Sequence, residues 1–329
     1  MTAMGIVSGK KILCVGMMTC DAYFYGIDRA FLEKEVSYNS GIKMTTGGDA
    51  TNVSIDLAAL GNDVKLMGCI GYDIPGEGLL KATTEAGVDN SLVVRRADTS
   101  TSTTLIVYTR GSKNSNDRHC SLYHGGNERL LQEDITDEIL RSVDHMHYGS
   151  FGPMTAIDGE NLKILFERAK SLGVSISMDI KGTGHDYSKL LPALPYVDLF
   201  MPNIGEYKDI TGTDDLDEIK EFFRPYGFKI MAVKMADKGA FLTDFREDIM
   251  LPTLTKPEEI VDIMGAGDAF CAGLMTAWLD GRDLKECGIF GSMASKACLG
   301  TEGASTWRVS ADELGRQAVS MGYKLRGFE

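Results

Sequence analysis

The feature that most constrains this chain is an alternation. Short apolar runs of strand character recur between stretches with helical periodicity. The runs are KILCVG (11–16), VKLMGCIG (64–71), VSISMDI (174–180), VDLFMPN (197–203) and FKIMAVK (228–234). Between them, helices are predicted over 49–60, 76–87, 158–172, 204–223 in two pieces, 265–279 and 283–298. In the helix from 158, Leu162, Leu165, Phe166 and Ala169 fall at i, i+3, i+4 and i+7, the stripe by which a helix packs on a sheet. Such alternation predicts an α/β layered fold around a mainly parallel sheet, with ligands gathered at the carboxyl ends of its strands.

Two regions break the pattern. Residues 22–46 and 92–124 are rich in Tyr, Thr, Val and Ser without a helical period, and TSTTLIVYTR (101–110 with its flank) reads as a strand of its own. They are expected to form a small β subdomain inserted into the body, a flap that covers a site or pairs with another copy.

Charge narrows the partners. With 47 acidic against 34 basic residues the net charge is −13 and the basic residues do not cluster, which argues against a nucleic-acid or anionic-membrane surface. No apolar stretch approaches the ~18 residues needed to cross a bilayer. The opening residues lack the layout of a signal peptide. Seven scattered cysteines with no C-x-x-C pair fit reduced thiols. A cytoplasmic location is therefore expected.

Two glycine corners carry the candidate chemistry. In VDIMGAGDAF (261–270), Gly265, Ala266 and Gly267 precede Asp268 and a helical stripe of Phe270, Leu274, Ala277 and Trp278. Unpaired N–H groups and the helix dipole there favour an anion, whereas a carboxylate beside an anion needs separate work such as proton removal. In GGDATNVSIDLAALG (47–61), Gly47, Gly48 and Asn52 open a second helix, where N–H groups and a carboxamide can bond hydroxyls. Asp21, just past the first strand, adds a carboxylate to the strand-end rim. In MPNIGEYKDITG, Asn203 and Glu206 stand three apart in the first turn of a helix, a spacing that suits a capping box or the water shell of Mg²⁺. HMHYG puts His145 and His147 on one strand face, a spacing open to a metal, with no third ligand in view. No G-x-x-x-x-G-K-[ST] loop is present.

In order, these corners resemble the ribokinase-like (PfkB) carbohydrate kinase family over nearly the whole chain. GGDATNVSIDLAALG matches its first signature, DIMGAGDAFCAGLM its second, PNIGE its N-x-x-E element and GMMTCD its opening G-x-x-x-x-D. The resemblance implies a three-layer α/β/α ribokinase-like fold over residues 1–329 as a single kinase domain, with β-lid segments at about 22–46 and 92–124. It implies ATP as phosphoryl donor and Mg²⁺ as cofactor. Asp268 would be the catalytic base, and the N–H groups from Gly265, Ala266 and Gly267 to Asp268 the anion hole. Asp21, Gly47, Gly48 and Asn52 would bind the sugar. Asn203 and Glu206 would serve Mg-ATP, and VKMADKGA, with Lys234 and Gly239, matches the nucleotide strand and turn, although Ala236 replaces a usual Gly. Some members hold a monovalent cation such as K⁺ through backbone carbonyls. Here that would involve Asp262 and Met264, with further ligands near Cys298 to Ser305.

The expected reaction transfers the ATP γ-phosphoryl group to a hydroxymethyl oxygen of a small sugar. Candidates are a pentose or hexose of ribose or fructose type, or a keto-deoxy sugar acid with Arg110 as carboxylate partner. Thr19, where ribokinases proper tend to have Asn, speaks against strict ribose specificity. A nucleoside kinase is the alternative, with Tyr23, Phe24 or Tyr108 stacking on a base. A non-catalytic sugar sensor is the third reading. A homodimer through the β lid is also expected.

Overall fold

The computed structural model describes residues 6, 9–28, 30–109 and 118–328. Among the described residues are fourteen strands, in three sheets, and nine α-helices.

In chain order the elements begin with β1 (Lys11–Gly16), β2 (Thr19–Ile27), β3 (Gly41–Gly47), α1 (Asp49–Ala59), β4 (Asp63–Met67), β5 (Cys69–Ile70), α2 (Ile74–Glu85), β6 (Val94–Arg95), β7 (Thr103–Thr109) and β8 (Arg118–Tyr123). There follow α3 (Asp137–Arg141), β9 (His145–Phe151), α4 (Glu160–Ser171), β10 (Ser175–Ile180), β11 (Leu199–Phe200), α5 (Ile204–Thr211), α6 (Leu216–Phe223) and β12 (Ile230–Lys234). The chain closes with β13 (Ala240–Thr243), β14 (Asp248–Leu251), α7 (Ala266–Leu279), α8 (Leu284–Leu299) and α9 (Ala311–Ser320).

The large sheet has eight strands in the order β14-β13-β12-β11-β10-β9-β1-β4. Its pairings are parallel from β4 through β12 and antiparallel only at β12–β13 and β13–β14. Side chains of β1 alternate between two cores. Ile12 and Cys14 pack with α1, α7, α8 and α9, whereas Leu13 and Val15 pack with α3, α4, α5 and α6. Helices thus cover both faces, the arrangement in which parallel strands bury their apolar runs.

β2, β3, β7 and β8 form the second sheet, in the order β3-β2-β7-β8. Of the 92–124 stretch, β7 and β8 belong to it, while β6 pairs instead with β5 in a small two-stranded sheet. Asp21, Tyr23 and Tyr25 alternate to one face of β2, and the rings of Tyr23, Tyr25 and Tyr108 stack with centroids 5.3–6.4 Å apart. Phe24 lies on the opposite face of the strand by the two-residue period. Lys43 of β3 pairs with Glu302 at 2.9 Å, and the Thr46 and Ser305 hydroxyls lie 3.2 Å apart, so the small sheet is tied to the loop after α8.

Candidate functional site

Two helix N-termini meet at the carboxyl end of the large sheet. α1 starts after Gly48 and α7 after Gly265. Gly265 has φ +76°, and a Cβ there would lie 2.0 Å from the Ala304 carbonyl oxygen, so only glycine fits this corner. The first intrahelical bond of α7 runs from Ala269 N to Gly265 O at 2.8 Å. The N–H groups of Ala266, Gly267 and Asp268 precede it, at the helix end where backbone donors suit an anion.

The two helices are joined by one hydrogen bond, Asn52 Nδ2 to Asp268 Oδ2 at 2.7 Å. Asn52 Oδ1 is buried without a partner, which leaves an acceptor for a bound hydroxyl. Asp21 is buried behind Gly47, where a Cβ would come within 2.3 Å of its carboxylate oxygen; the backbone passes close to the carboxyl because the side chain is absent. Thr19 has no exposed surface, and its hydroxyl bonds Ser102 at 3.0 Å and Asn127 at 3.3 Å. It braces the site from behind.

Asp268 stands among charges. Oxygen atoms of Asp49, Asp179 and Asp268 all lie within 4.8 Å of one another. Two lysines divide this acidic cluster: Lys181 Nζ is 3.1 Å from Asp49 Oδ1, and Lys234 Nζ bonds Asp179. Burial and then the Asp49 charge push the Asp268 carboxyl up to about 7. Burial also disfavours ionised Asp49, but the Lys181 ammonium outweighs it and holds Asp49 below the usual range. The Lys181 ammonium is raised in turn, chiefly by Asp49. The cluster therefore holds one carboxyl poised to exchange a proton at neutral pH beside cations that favour phosphate oxygens.

Asn203 caps α5, with Glu206 N bonding Asn203 Oδ1 at 3.0 Å and Asn203 N bonding Glu206 Oε2 at 2.8 Å, a reciprocal capping box. Gly182 N adds a bond to Glu206 Oε1 at 3.0 Å. Burial and the neighbouring Asp179 raise the Glu206 carboxyl to about 7. A divalent cation suits such a buried carboxylate near a second acid. Lys234 ends β12, and Gly239 closes the turn into β13. Between them, Ala236 sits at φ +52°, where glycine would be relaxed, at a cost of about 1 kcal/mol.

The Asp262 carboxylate accepts from Met264 N and from Gly303 N, both at 3.0 Å, and so joins the loop before α7 to the loop after α8. The Met264 and Ala304 carbonyl oxygens converge on the Cys298 thiol, at 3.3 and 3.4 Å. Two backbone oxygens beside the Asp262 loop thus lie within reach of one thiol.

The structure brings Asp268, Gly265, Ala266, Gly267, Asn52, Gly47, Gly48, Asp21 and Lys234 to one cleft. Arg110 lies among residues 110–117, which are outside the described residues. His145 and His147 do not present an open ligand pair. Both are fully buried, and three of their four ring nitrogens bond serine hydroxyls of β10, His147 Nε2 being the exception. Asp49, Asp179 and Lys181 were not among the expected site residues. Asp49 stands inside the first glycine corner, and Asp179 and Lys181 stand at and just past the end of the VSISMDI run, so the strand-end rule was the signal that could have found them.

A family model of pfkB family carbohydrate kinases matches residues 9–310. An uncharacterized sugar kinase of Archaeoglobus fulgidus is 29% identical over 252 residues, covering 75% of this chain and 96% of that one. The bifunctional protein HldE of Shewanella baltica is 29% identical over 97% of this chain, which spans 65% of the length of HldE. Among solved structures, Arabidopsis thaliana ribokinase complexed with ribose and ATP superposes with a TM-score of 0.81 at 20% identity, over 94% of this chain and 98% of that one. Adenosine kinase from Sinorhizobium meliloti gives 0.79 at 22%, over 94% and 99%. At these identities the two structures show the fold.

Proposed function

Because the chain belongs to the PfkB family of carbohydrate kinases, and so is an ATP-dependent kinase, we propose that it transfers the ATP γ-phosphoryl group to a hydroxymethyl oxygen of a small sugar, with Asp268 as the base. The observation that carries this reading is the position of Asp268: a buried carboxyl raised to about 7, in the first turn of the helix whose free N–H groups form an anion site. Phosphoryl transfer needs in-line positioning, charge neutralisation and a proton acceptor more than covalent catalysis. Asp268 takes the hydroxyl proton, the N–H groups of Ala266 and Gly267 hold the transferring phosphoryl oxygens, and Lys181 offsets their charge. When bound, Mg²⁺ supplies further neutralisation, with Glu206 and Asn203 as the residues that would hold it with its waters. Asp21 and Asn52 orient the sugar hydroxyls. The carbonyls of Met264 and Ala304, near Asp262, are the proposed monovalent cation site, and Lys234 with the Gly239 turn supports the nucleotide.

Proton-coupled ³¹P NMR of the product tests the reading. A phosphomonoester split by two equivalent-carbon protons is expected; a phosphate on a secondary hydroxyl would contradict it. The same map predicts that Asp21→Ala raises the sugar KM at least ~10-fold and leaves the ATP KM within about twofold, since hydroxyls lose a buried acceptor and the nucleotide loses nothing. A larger loss on the ATP side would overturn the two-site map.

One observation favours a nucleoside as second reading: the stacked Tyr23, Tyr25 and Tyr108 lie on the same sheet face as Asp21. Burial and then Asp21 raise the Tyr23 hydroxyl, with Asp262 adding to the shift, so the aromatic face and the cleft share one field. A base or an aromatic aglycone would stack there.

The four-stranded sheet is proposed as a lid that closes over the sugar to exclude water, tethered through Lys43–Glu302. Ile42 and Met44 of its edge strand β3 are more than half exposed, and two-fold pairing of the sheets is the proposed cover. Sedimentation at micromolar concentration should give a dimer that Ile42→Lys with Met44→Lys splits into monomers; a wild-type monomer would contradict the pairing.

A further inference from the structure

A parallel sheet covered on both sides is expected to be apolar on both faces. Here a polar track crosses one of them. On adjacent strands β9 and β10, His145 and His147 pair in register with Ser175 and Ser177. The period of two carries the same β10 face on to Asp179 and the same β9 face to Gly149, at the carboxyl end where the acidic cluster lies.

The track is continuous. His147 Nδ1 lies 2.9 Å from Ser177 Oγ, Ser177 Oγ 2.8 Å from His145 Nε2, and His145 Nδ1 2.8 Å from Ser175 Oγ. Ser175 Oγ is bonded to Asp144 O at 3.2 Å, at the opposite, partly exposed edge of the sheet. His145, His147 and Ser177 have no exposed surface, Trp278 of α7 packs on His145, and the Ser177 hydroxyl donates to Met275 Sδ at 2.9 Å, a weak acceptor from which it turns to serve a ring nitrogen. Burial holds both imidazoles neutral at ordinary pH, shifting His145 to about 3 and His147 to about 4. A neutral imidazole has one N–H and one lone pair, so each ring can accept on its cleft side and donate on the other. Ser177 can likewise accept from one ring and donate to the next.

At the cleft end, His147 Nε2 is buried without a hydrogen-bond partner. It and Asp49 Cβ each lie 3.0 Å from the point a Cβ on Gly149 would occupy, so the missing side chain of Gly149 leaves the ring open toward Asp49. A buried polar atom left unsatisfied at the end of an otherwise satisfied network calls for an explanation.

We propose that His147, Ser177, His145 and Ser175 form a proton relay that carries the proton taken up by Asp268 from the closed cleft to the far edge of the sheet. The inference rests on the kinase reading. As the γ-phosphorus bond to ADP breaks and its bond to the sugar oxygen forms, the hydroxyl proton goes to the Asp268 carboxylate. It passes through water, beside the ionised Asp49, to His147 Nε2. The Nδ1 proton of His147 moves to Ser177, the Ser177 proton to His145 Nε2, the His145 Nδ1 proton to Ser175, and the Ser175 proton to outside water. One proton enters and one leaves, and rotation of the hydroxyls with the reverse tautomer shift resets the chain. The four residues touch no substrate; they act through Asp268.

The test compares wild-type protein with Ser177→Ala, which breaks the chain, and Ser177→Thr, which keeps the hydroxyl. Rapid quench reads ADP formed in the first turnover, and a pH indicator in stopped flow reads the proton. With a sugar that wild type phosphorylates, Ser177→Ala should form ADP in the first turnover at the wild-type rate while proton release lags at least about tenfold. Ser177→Thr should behave as wild type. Should Ser177→Ala fail to fold, His145→Gln breaks the same chain one link further on. Proton release in step with ADP in the folded, chain-broken variant, or the same lag in Ser177→Thr, overturns the relay. A wild-type protein that makes no ADP with any sugar overturns the kinase reading instead.

Discussion

Asp268→Asn is expected to lower turnover at least ~10²-fold while ATP still binds, because only the proton acceptor is lost. The asparagine keeps an oxygen for the Asn52 Nδ2 bond, so the joint between α1 and α7 survives. The pH dependence gives a second, signed expectation. The wild-type carboxyl sits at about 7, raised by burial and then by Asp49, and must be ionised to act. The kcat/KM of wild type should therefore fall at least about tenfold per pH unit below 7 and level off above it, and the residual activity of the variant should keep only the shallower part of that step due to Glu206, also raised to about 7. The same shift bears on stability. A folded-state value above the unfolded one means stability fully present at acid pH and lost as pH rises through 7, because the buried carboxylate is then ionised beside Asp49. The asparagine escapes this loss, so its Tm should match or exceed that of wild type above pH 7. A variant with most of its turnover intact would remove Asp268 from its role.

Gly265→Ala should be nearly as damaging by a different route. The backbone at φ +76° and the 2.0 Å approach of an added Cβ to the Ala304 carbonyl oxygen leave no way to seat a methyl without moving the α7 N-terminus or the 299–306 loop. Either shift misplaces the N–H groups of Ala266 and Gly267. Loss of one preorganised donor of this kind costs ~10²–10³ in turnover, and the strained backbone costs about 1–3 kcal/mol of stability. Steady-state kinetics and a thermal melt read both. Wild-type kcat with an unchanged Tm would show that the corner carries no anion.

Much of the fold is legible in the sequence because its signals are local. KILCVG coincides with β1, and Leu162, Leu165, Phe166 and Ala169 are the buried face of α4 as their spacing predicts. The hairpin of β13 and β14 is not legible in the sequence because AFLT and DIML are short, and β13 is held by β12 on its other side. α9 is hard to read because its buried stripe, Ala311, Leu314, Gly315 and Ala318, is made of small residues but for one leucine. The candidate site divides the same way. Asp268 and Asn52 stand in glycine corners that announce themselves, whereas Asp49, Asp179 and Lys181 gain their meaning from meeting across more than a hundred residues of chain. The two histidines show the limit from the other side. Their i, i+2 spacing fits a metal pair, but the serines that occupy their nitrogens lie on another strand. Arg110 falls outside the described residues, so its proposed contact with a substrate acid rests on sequence alone.

The most direct test of the central claim is ADP release from Mg-ATP by wild type and Asp268→Asn across a panel of pentoses, hexoses, keto-deoxy sugar acids and nucleosides. The account predicts that wild type releases ADP well above its sugar-free rate with at least one sugar of the panel, and that Asp268→Asn does not. Release with no acceptor above the sugar-free rate, or equal release by the two proteins, would contradict it.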